Sequence, residues 1–358
     1  MTEFAIGLTR RVGRTTMFRG RTSTIATVAL AVCGLDIAIH FVNWAVVNAV
    51  WTLPPGAGSA ACRAVRGDGA CWAVIGERFR YIILGGYPFD QQWRPAIVCA
   101  LFISLYLASA VPASWRPRLA LLWIAVPLSA VVLLRGGILG LSSVTTEKWG
   151  GLPLTFMLST VGFVAAFPLA VVLAFGRRSE MAAIRVLSVA YIEIVRGVPL
   201  ITFLFMASLM FPLFVPQGIT IDKLLRAQIA FVMVIAAYLA EVIRGGLQAI
   251  PKGQYEAAES MGLSFWPTTV LVVLPQALRI TIPSIVSTFI GFFKDTSLVV
   301  VIGLFDLLGT GKAALVDPKW VGFGVEVYAF VGAVYFVFCY AVSRYSQHLE
   351  RMLSVRSH

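Results

Sequence analysis

The sequence predicts an all-α polytopic membrane protein of about eight spans, and three observations carry that prediction. Of its 358 residues, 59% are hydrophobic and only 13% charged, against about 25% charged in a soluble domain. The apolar residues are gathered in runs long enough to cross a bilayer core of about 30 Å as helices, which takes about 20 residues each. The basic residues, which give a net charge of +12, fall mainly between alternate pairs of those runs. That placement orients helices in a membrane, so the surplus is no sign of nucleic-acid binding.

The runs follow one another along the chain. The first, residues 25–50, comes after a tail bearing Arg10, Arg11, Arg14, Arg19 and Arg21. It is too long for the core of a signal peptide, about 7–15 residues, and is expected to stay as an anchor. Shorter runs at 95–111 and 119–134 follow, then 152–175 and 197–215, a short run at 227–240, and finally 280–305 and 325–342. With the N-terminus inside, the expected cytosolic segments hold 16 Lys or Arg and the three short outer segments hold 6, the bias that short loops obey. Both termini are therefore expected in the cytosol. The long outer segment, 52–94, carries Cys62 and Cys71, which on this topology face an oxidising compartment and stand either as a disulfide or as two free thiols. Cys33, Cys99 and Cys339 lie within spans as packed hydrophobes.

One connector is too long and too patterned to be a simple turn. Residues 251–279 are amphipathic and read as two short helices. Gln254 to Met261 forms the first, with Gly262 at the position where a left-handed conformation ends a helix. Ser264 is placed to cap a second, whose first turn tolerates Pro267, and Leu274-Pro275 is expected to stop it. Ala257 and Ala258 leave a low surface between Glu256 and Glu259, suited to close approach by a partner.

The order Glu256-Ala257-Ala258, three residues, Gly262, nine residues, Val272, one residue, Leu274-Pro275 resembles the EAA loop of ABC importer permeases, with Val272 where Ile is usual. EIVRGVP from Glu193, YLAEVIRGG from Tyr238, IPKGQ from Ile250, LPQALR from Leu274 and KDTSL from Lys294 resemble the wording of the polar-amino-acid branch of that family. The longer N-terminal part resembles the long permease of general L-amino-acid importers. The resemblance implies a type I, MetI-like five-helix core over 151–350, preceded by a three-span extension at 24–150 with a periplasmic loop at 52–94, and flanked by cytosolic tails at 1–23 and 351–358. It implies that Glu256, Ala257, Ala258, Gly262, Leu274 and Pro275 form the coupling segment seated on an ATPase. The implied partners are a second homologous permease, two ATP-binding-cassette subunits and a periplasmic amino-acid-binding protein, in the lipid of a bacterial inner membrane. ATP and Mg are implied to be held by the ATPase partner, with no cofactor in this chain.

Charges at membrane depth are costly, about 2.5–3.5 kcal/mol on insertion scales, and call for an explanation. Lys294, Asp295, Thr296 and Ser297 interrupt an apolar run. They either border a translocation path, where a zwitterion needs both signs of charge, or form a helix break closed by an internal ion pair. Adjacent residues point in different directions on a helix. Glu193 with Arg196 and Glu241 with Arg244 have i,i+3 spacing and are expected to form structural ion pairs. Pro168, Pro212, Pro283 and the Gly197–Pro199 stretch are expected to loosen their helices.

Other groupings point away from chemistry. Asp36, His40 and Asn43 share a stripe of the first span, read as interhelical hydrogen bonding. Gly309-Thr310-Gly311-Lys312 fails as a nucleotide loop because Asp306 and Ala313 stand where the motif needs Gly and Ser or Thr. No cysteine and histidine cluster has zinc spacing, and no nucleophile elbow or HExxH is present. The expected function is the non-enzymatic transmembrane subunit of an importer of amino acids, broad-range L-amino acids in particular. The alternative is a stand-alone ion-coupled transporter using Asp36, His40, Lys294 and Asp295; such proteins carry matching broken segments in two halves, and no such match is visible.

Overall fold

The computed structural model describes residues 20–53, 59–138, 140–216, 218 and 220–354. The four tail arginines before residue 20 and the end of the C-terminal tail lie outside these residues. The chain divides into two compact units, 1–77 and 78–358. The boundary falls well before residue 150, so two of the three N-terminal spans belong to the larger unit, for a packing reason given below.

In the smaller unit, α1 (Arg21–Val42) runs into a widened turn at Asn43–Val47. A short helix, α2 (Ala60–Ala64), lies in a cap that returns to the end of α1. Three backbone bonds fasten that cap: Ala70 N–H to Trp44 O at 2.8 Å, Val50 N–H to Ala70 O at 2.8 Å and Ala73 N–H to Val50 O at 3.2 Å. Cys62 and Cys71 are joined across it, with Cα atoms 5.4 Å apart. Gly69 passes so close to Asn48 that an added Cβ would lie 2.0 Å from its carbonyl oxygen. No described residue of α1 is buried. Interhelical bonding by the polar stripe is therefore not seen: His40 Nδ1 instead lies 2.9 Å from the Asp36 carbonyl on the same helix, and Cys33 is exposed.

The unit boundary lies within α3 (Ala73–Leu84). The larger unit then contains α4 (Trp93–Ala110), α5 (Pro117–Arg135), α6 (Gly151–Arg177), α7 (Ala182–Gly197) and α8 (Leu200–Phe205). After these come α9 (Lys223–Ala249) and α10 (Lys252–Ser260). A long helical stretch, α11 (Phe265–Ile302), precedes α12 (Leu307–Ala314) and α13 (Gly324–Ser354). Among the described residues seven helices are long and apolar enough to cross a membrane, or eight if the bent pair Ala182–Gly197 and Leu200–Phe214 is one span. The bend is 99° and falls at Val198-Pro199. Proline restricts the residue before it to extended conformations and cannot donate the bond that would continue the helix.

Two cores hold the unit together. α6 and α9 pack through small residues, among them Ala166, Ala170 and Ala174 on one helix and Ala227, Ala230 and Ala237 on the other. In lipid, close packing of small residues replaces the hydrophobic drive available in water. Where α9 meets α11, a Cβ on Gly246 would lie 2.7 Å from the Ala277 carbonyl oxygen, so only glycine allows that approach. The second core is aromatic: Phe102 of α4, Phe156 of α6, Phe289 and Phe293 of α11 and Phe338 of α13 surround one another, with Phe293 stacked on Phe338 at 4.1 Å. Val98, Phe102 and Leu105 of α4 and Val126, Ala130 and Leu134 of α5 are buried in it. That shared core places these two spans in the larger unit. Arg94, only 1% exposed, secures the end of α5 by donating from Nε to Leu133 O at 2.7 Å, a cation at a helix C-terminus.

Candidate functional site

The 251–279 segment differs from expectation in one respect. α10 is a short helix as predicted, and it ends in a paired closure: Leu263 N–H bonds Ala258 O at 3.1 Å and Gly262 N–H bonds Glu259 O at 2.8 Å, with Gly262 at φ +76°. This is the left-handed helix stop in which glycine avoids a Cβ penalty. The second short helix does not exist as a separate piece. Ser264 stands before it without a side-chain capping bond, and Leu274-Pro275 does not stop it, because the helix widens into a π turn over Thr268–Val273 and continues. A π turn relieves the clash between a proline ring and the preceding turn. The connector is thus one short helix and the first turns of a span.

Its parts have distinct surroundings. Glu256 and Ala257 are exposed while Ala258 is buried, which fixes the face α10 turns inward. Leu274 packs against the first core, and Pro275 is exposed. Gln276 Nε2 donates to Gln254 Oε1 at 2.9 Å, tying α11 back to α10. Beyond Gly262 the tip is apolar and open: Met261 is 81% exposed, Phe265 68% and Trp266 67%, with Leu271 beside them also exposed.

A charged cluster ties the ends of α6, α7 and α9 together. Arg177 donates to Glu193 Oε1 at 2.8 Å and lies 3.3 Å from Glu241 Oε2. Glu241 also accepts two bonds from Arg244, at 2.9 and 2.5 Å, as its spacing predicted. The expected Glu193–Arg196 pair is not formed. Glu193 reaches across to Arg177, and the Arg196 guanidinium lies over the Tyr238 ring at 5.4 Å, a cation–π contact. Neighbouring Arg178 bonds the Tyr255 hydroxyl of α10 at 3.4 Å. The part played by Arg177 and the contact of Tyr238 with Arg196 could not be read from spacing, because the partners lie on other helices.

Lys294, Asp295, Thr296 and Ser297 diverge. Regular α-helix ends at Asp295 and a tighter 3₁₀ coil follows over Thr296–Ile302. Lys294 is exposed and Ser297 half-buried, while Asp295 borders a cleft of about 340 Å³ with Leu200, Tyr238, Thr288 and Phe292. Thr296 is buried and donates to Phe293 O at 2.8 Å. No ion pair joins Lys294 to Asp295 among the described residues.

Just beyond the C-terminal end of α11 lies a network that motif reading did not isolate. Asp306 is fully buried; it caps α12 by accepting Gly309 N–H at 2.9 Å and accepts the Tyr335 hydroxyl of α13 at 2.7 Å. Leu307 N–H bonds Thr155 of α6 at 3.1 Å. Burial pushes the Asp306 carboxyl above the ordinary carboxylate range, against the Tyr335 and Gly309 bonds that favour its ionised form. The aspartate that spoils a nucleotide-loop reading is a structural cap. Among the described residues no group of three His, Cys, Asp or Glu is placed to hold a metal.

These features can be set beside known proteins. The chain is 46% identical over 344 residues to the inner membrane amino-acid ABC transporter permease protein YhdY of Escherichia coli strain K12, covering 94% of this chain and 91% of that one. It is 38% identical to the glutamate/glutamine/aspartate/asparagine transport system permease protein BztC of Rhodobacter capsulatus, covering 95% of this chain and 92% of the relative. A solved amino acid ABC transporter, crystallised with histidines, superposes with TM-score 0.51 at 29% identity, over 56% of this chain and 92% of the other. Residues 166–355, more than half of the chain, match the model of the binding-protein-dependent transport system inner membrane component family. With its bundle of spans, its broken α7–α8 pair and its glycine-stopped α10, the chain belongs to that family of inner membrane transport components.

Proposed function

We propose that this chain is the transmembrane permease subunit of an ATP-binding-cassette importer that carries amino acids, and in particular a broad range of L-amino acids, into the cytoplasm. The observation that carries the proposal is the glycine-stopped α10 with its exposed apolar tip, in a chain of permease lineage. Met261, Phe265 and Trp266 form an unburied patch beside a polar helix, and exposed apolar patches of this kind mark contact sites. Amino acids as cargo are supported by two relatives named for amino-acid transport that align over nearly the whole chain.

In this reading both termini and the 251–279 segment are cytosolic. A second homologous permease completes the pore, two ATPase subunits bind ATP and Mg, and a periplasmic binding protein delivers the amino acid. Glu256, Ala257, Ala258 and Gly262 seat on the ATPase, and Leu274 and Pro275 carry the movement into α11. The helices tip as rigid bodies between two packed arrangements. Asp295, at the wall of its cleft with Tyr238 and Thr288, borders the translocation path, with Lys294, Thr296 and Ser297 as its neighbours there. The ion-coupled alternative gains no support, since Asp36 and His40 sit exposed on α1 and Lys294 and Asp295 do not converge.

The test is uptake of labelled L-amino acids into proteoliposomes holding the full complex. Uptake that needs ATP, the ATPase and the binding protein supports the proposal. Uptake driven by an ion gradient through this chain alone overturns it.

A further inference from the structure

Glu193 has two arginines within reach. Across a helix gap it pairs with Arg177 at 2.8 Å. On its own helix Arg196 follows three residues later, the spacing that brings side chains to one face. Arg196 is exposed and makes no ion pair among the described residues; its guanidinium rests on Tyr238. Glu193 is itself 55% exposed in its side chain, and exposed pairs of this kind are weak enough to exchange.

We propose that Glu193 is a two-position ion-pair switch, and that Arg177 is the positioning residue that selects its docked state. Paired with Arg177, Glu193 fastens α7 to the end of α6. Paired with Arg196, it gives up that fastening, while Ile192 and Val195 keep α7 in the first core. Glu241 is held by two Arg244 bonds and lies 3.3 Å from Arg177, so a departing Glu193 leaves Arg177 with an acidic partner. The switch lies where movement of α10 arrives: Arg178, the neighbour of Arg177, bonds Tyr255 of α10, and α7 leads through the 99° bend into α8. The inference rests on the permease reading above.

The experiment uses the assembled transporter in proteoliposomes, with a labelled mixture of L-amino acids and with hydrolysis measured both with and without the binding protein. Arg177→Gln removes the docked state and Arg196→Gln the released one. The two variants shift basal ATP hydrolysis in opposite directions, each by about two- to thirtyfold, at unchanged complex yield. Arg177→Lys falls nearer wild type, and the double variant falls between the singles. Losses in the same direction, or losses that track the amount of assembled complex, show a merely structural cluster and overturn the switch. Wild-type complex that fails to take up amino acids with ATP overturns the permease reading itself, a separate result from the variant series.

Discussion

The two ends of the larger unit hold their polar groups in opposite ways. At the α10 end, Arg177, Glu193, Glu241, Arg244 and Arg196 form a partly exposed cluster with more than one possible pairing. Around Asp306 the partners are mostly buried, with Tyr335 half-buried: Gly309 N–H and Tyr335 O–H donate to the carboxylate, and Leu307 N–H donates to Thr155. Buried polar groups are costly to leave unpaired, while exposed ones can trade partners through water. One end is therefore built to stay, and the other to be displaced.

That contrast is broken most severely by Asp306→Leu. The substitution leaves the Gly309 backbone N–H without its acceptor, at about 1–3 kcal/mol, and leaves the Tyr335 hydroxyl only its 3.4 Å contact with Thr296. The expected outcome is a lower melting temperature in detergent and little assembled complex. Asp306→Asn keeps a carbonyl acceptor and should cost less. It should also remove a pH dependence. A carboxyl raised above its unfolded value binds its proton more tightly when folded, so its contribution to stability is greatest at low pH and falls as pH rises through the raised value. A melting series in the wild type and in Asp306→Asn checks this, with the flatter profile expected in the variant.

Glu241→Gln comes next. It removes one partner from Arg177 and weakens both Arg244 bonds, and it is expected to slow coupled uptake severalfold while leaving most of the complex assembled. A fall in yield as large as that of Asp306→Leu would erase the contrast between the ends. The smallest effect on transport is expected from replacing Cys62 and Cys71 by serine. A loop closed over nine residues is held by about 2–3 kcal/mol of restricted chain entropy, but that loop belongs to the smaller unit. Faster proteolysis of residues 59–72 with uptake within about twofold of wild type is the expected pair of results.

How far these regions could be read from sequence follows the same division. The spans were legible because apolar run length is a local property, and α10 was legible because a glycine stop and its helix are also local. α7 was not: sixteen residues with Arg185, Glu193 and Arg196 among them read as a flank of the next run, since only tertiary contact shows that a helix so charged packs on two others. Pro275 misled because a helix can continue past a proline, here through a widened turn before it. Asp306 was noticed for what it prevented, a nucleotide loop, and its capping role depends on Tyr335, which is distant in sequence. Glu193 was assigned the nearer arginine because spacing reports neighbours on one helix and is blind to those across a gap.

The central claim is that movement enters through the 251–279 segment, and Gly262 tests it most directly. A Cβ there meets nothing within 4 Å in this chain, so a side chain can leave the backbone at the cost of the strain of φ +76°. Asn tolerates that left-handed conformation better than other residues. Coupling through this loop predicts that Gly262→Asn retains most ATP-dependent uptake, while Gly262→Trp assembles in the membrane but loses uptake and the stimulation of ATP hydrolysis by the binding protein. Folded, assembled Gly262→Trp with uptake and stimulated hydrolysis equal to wild type would contradict it.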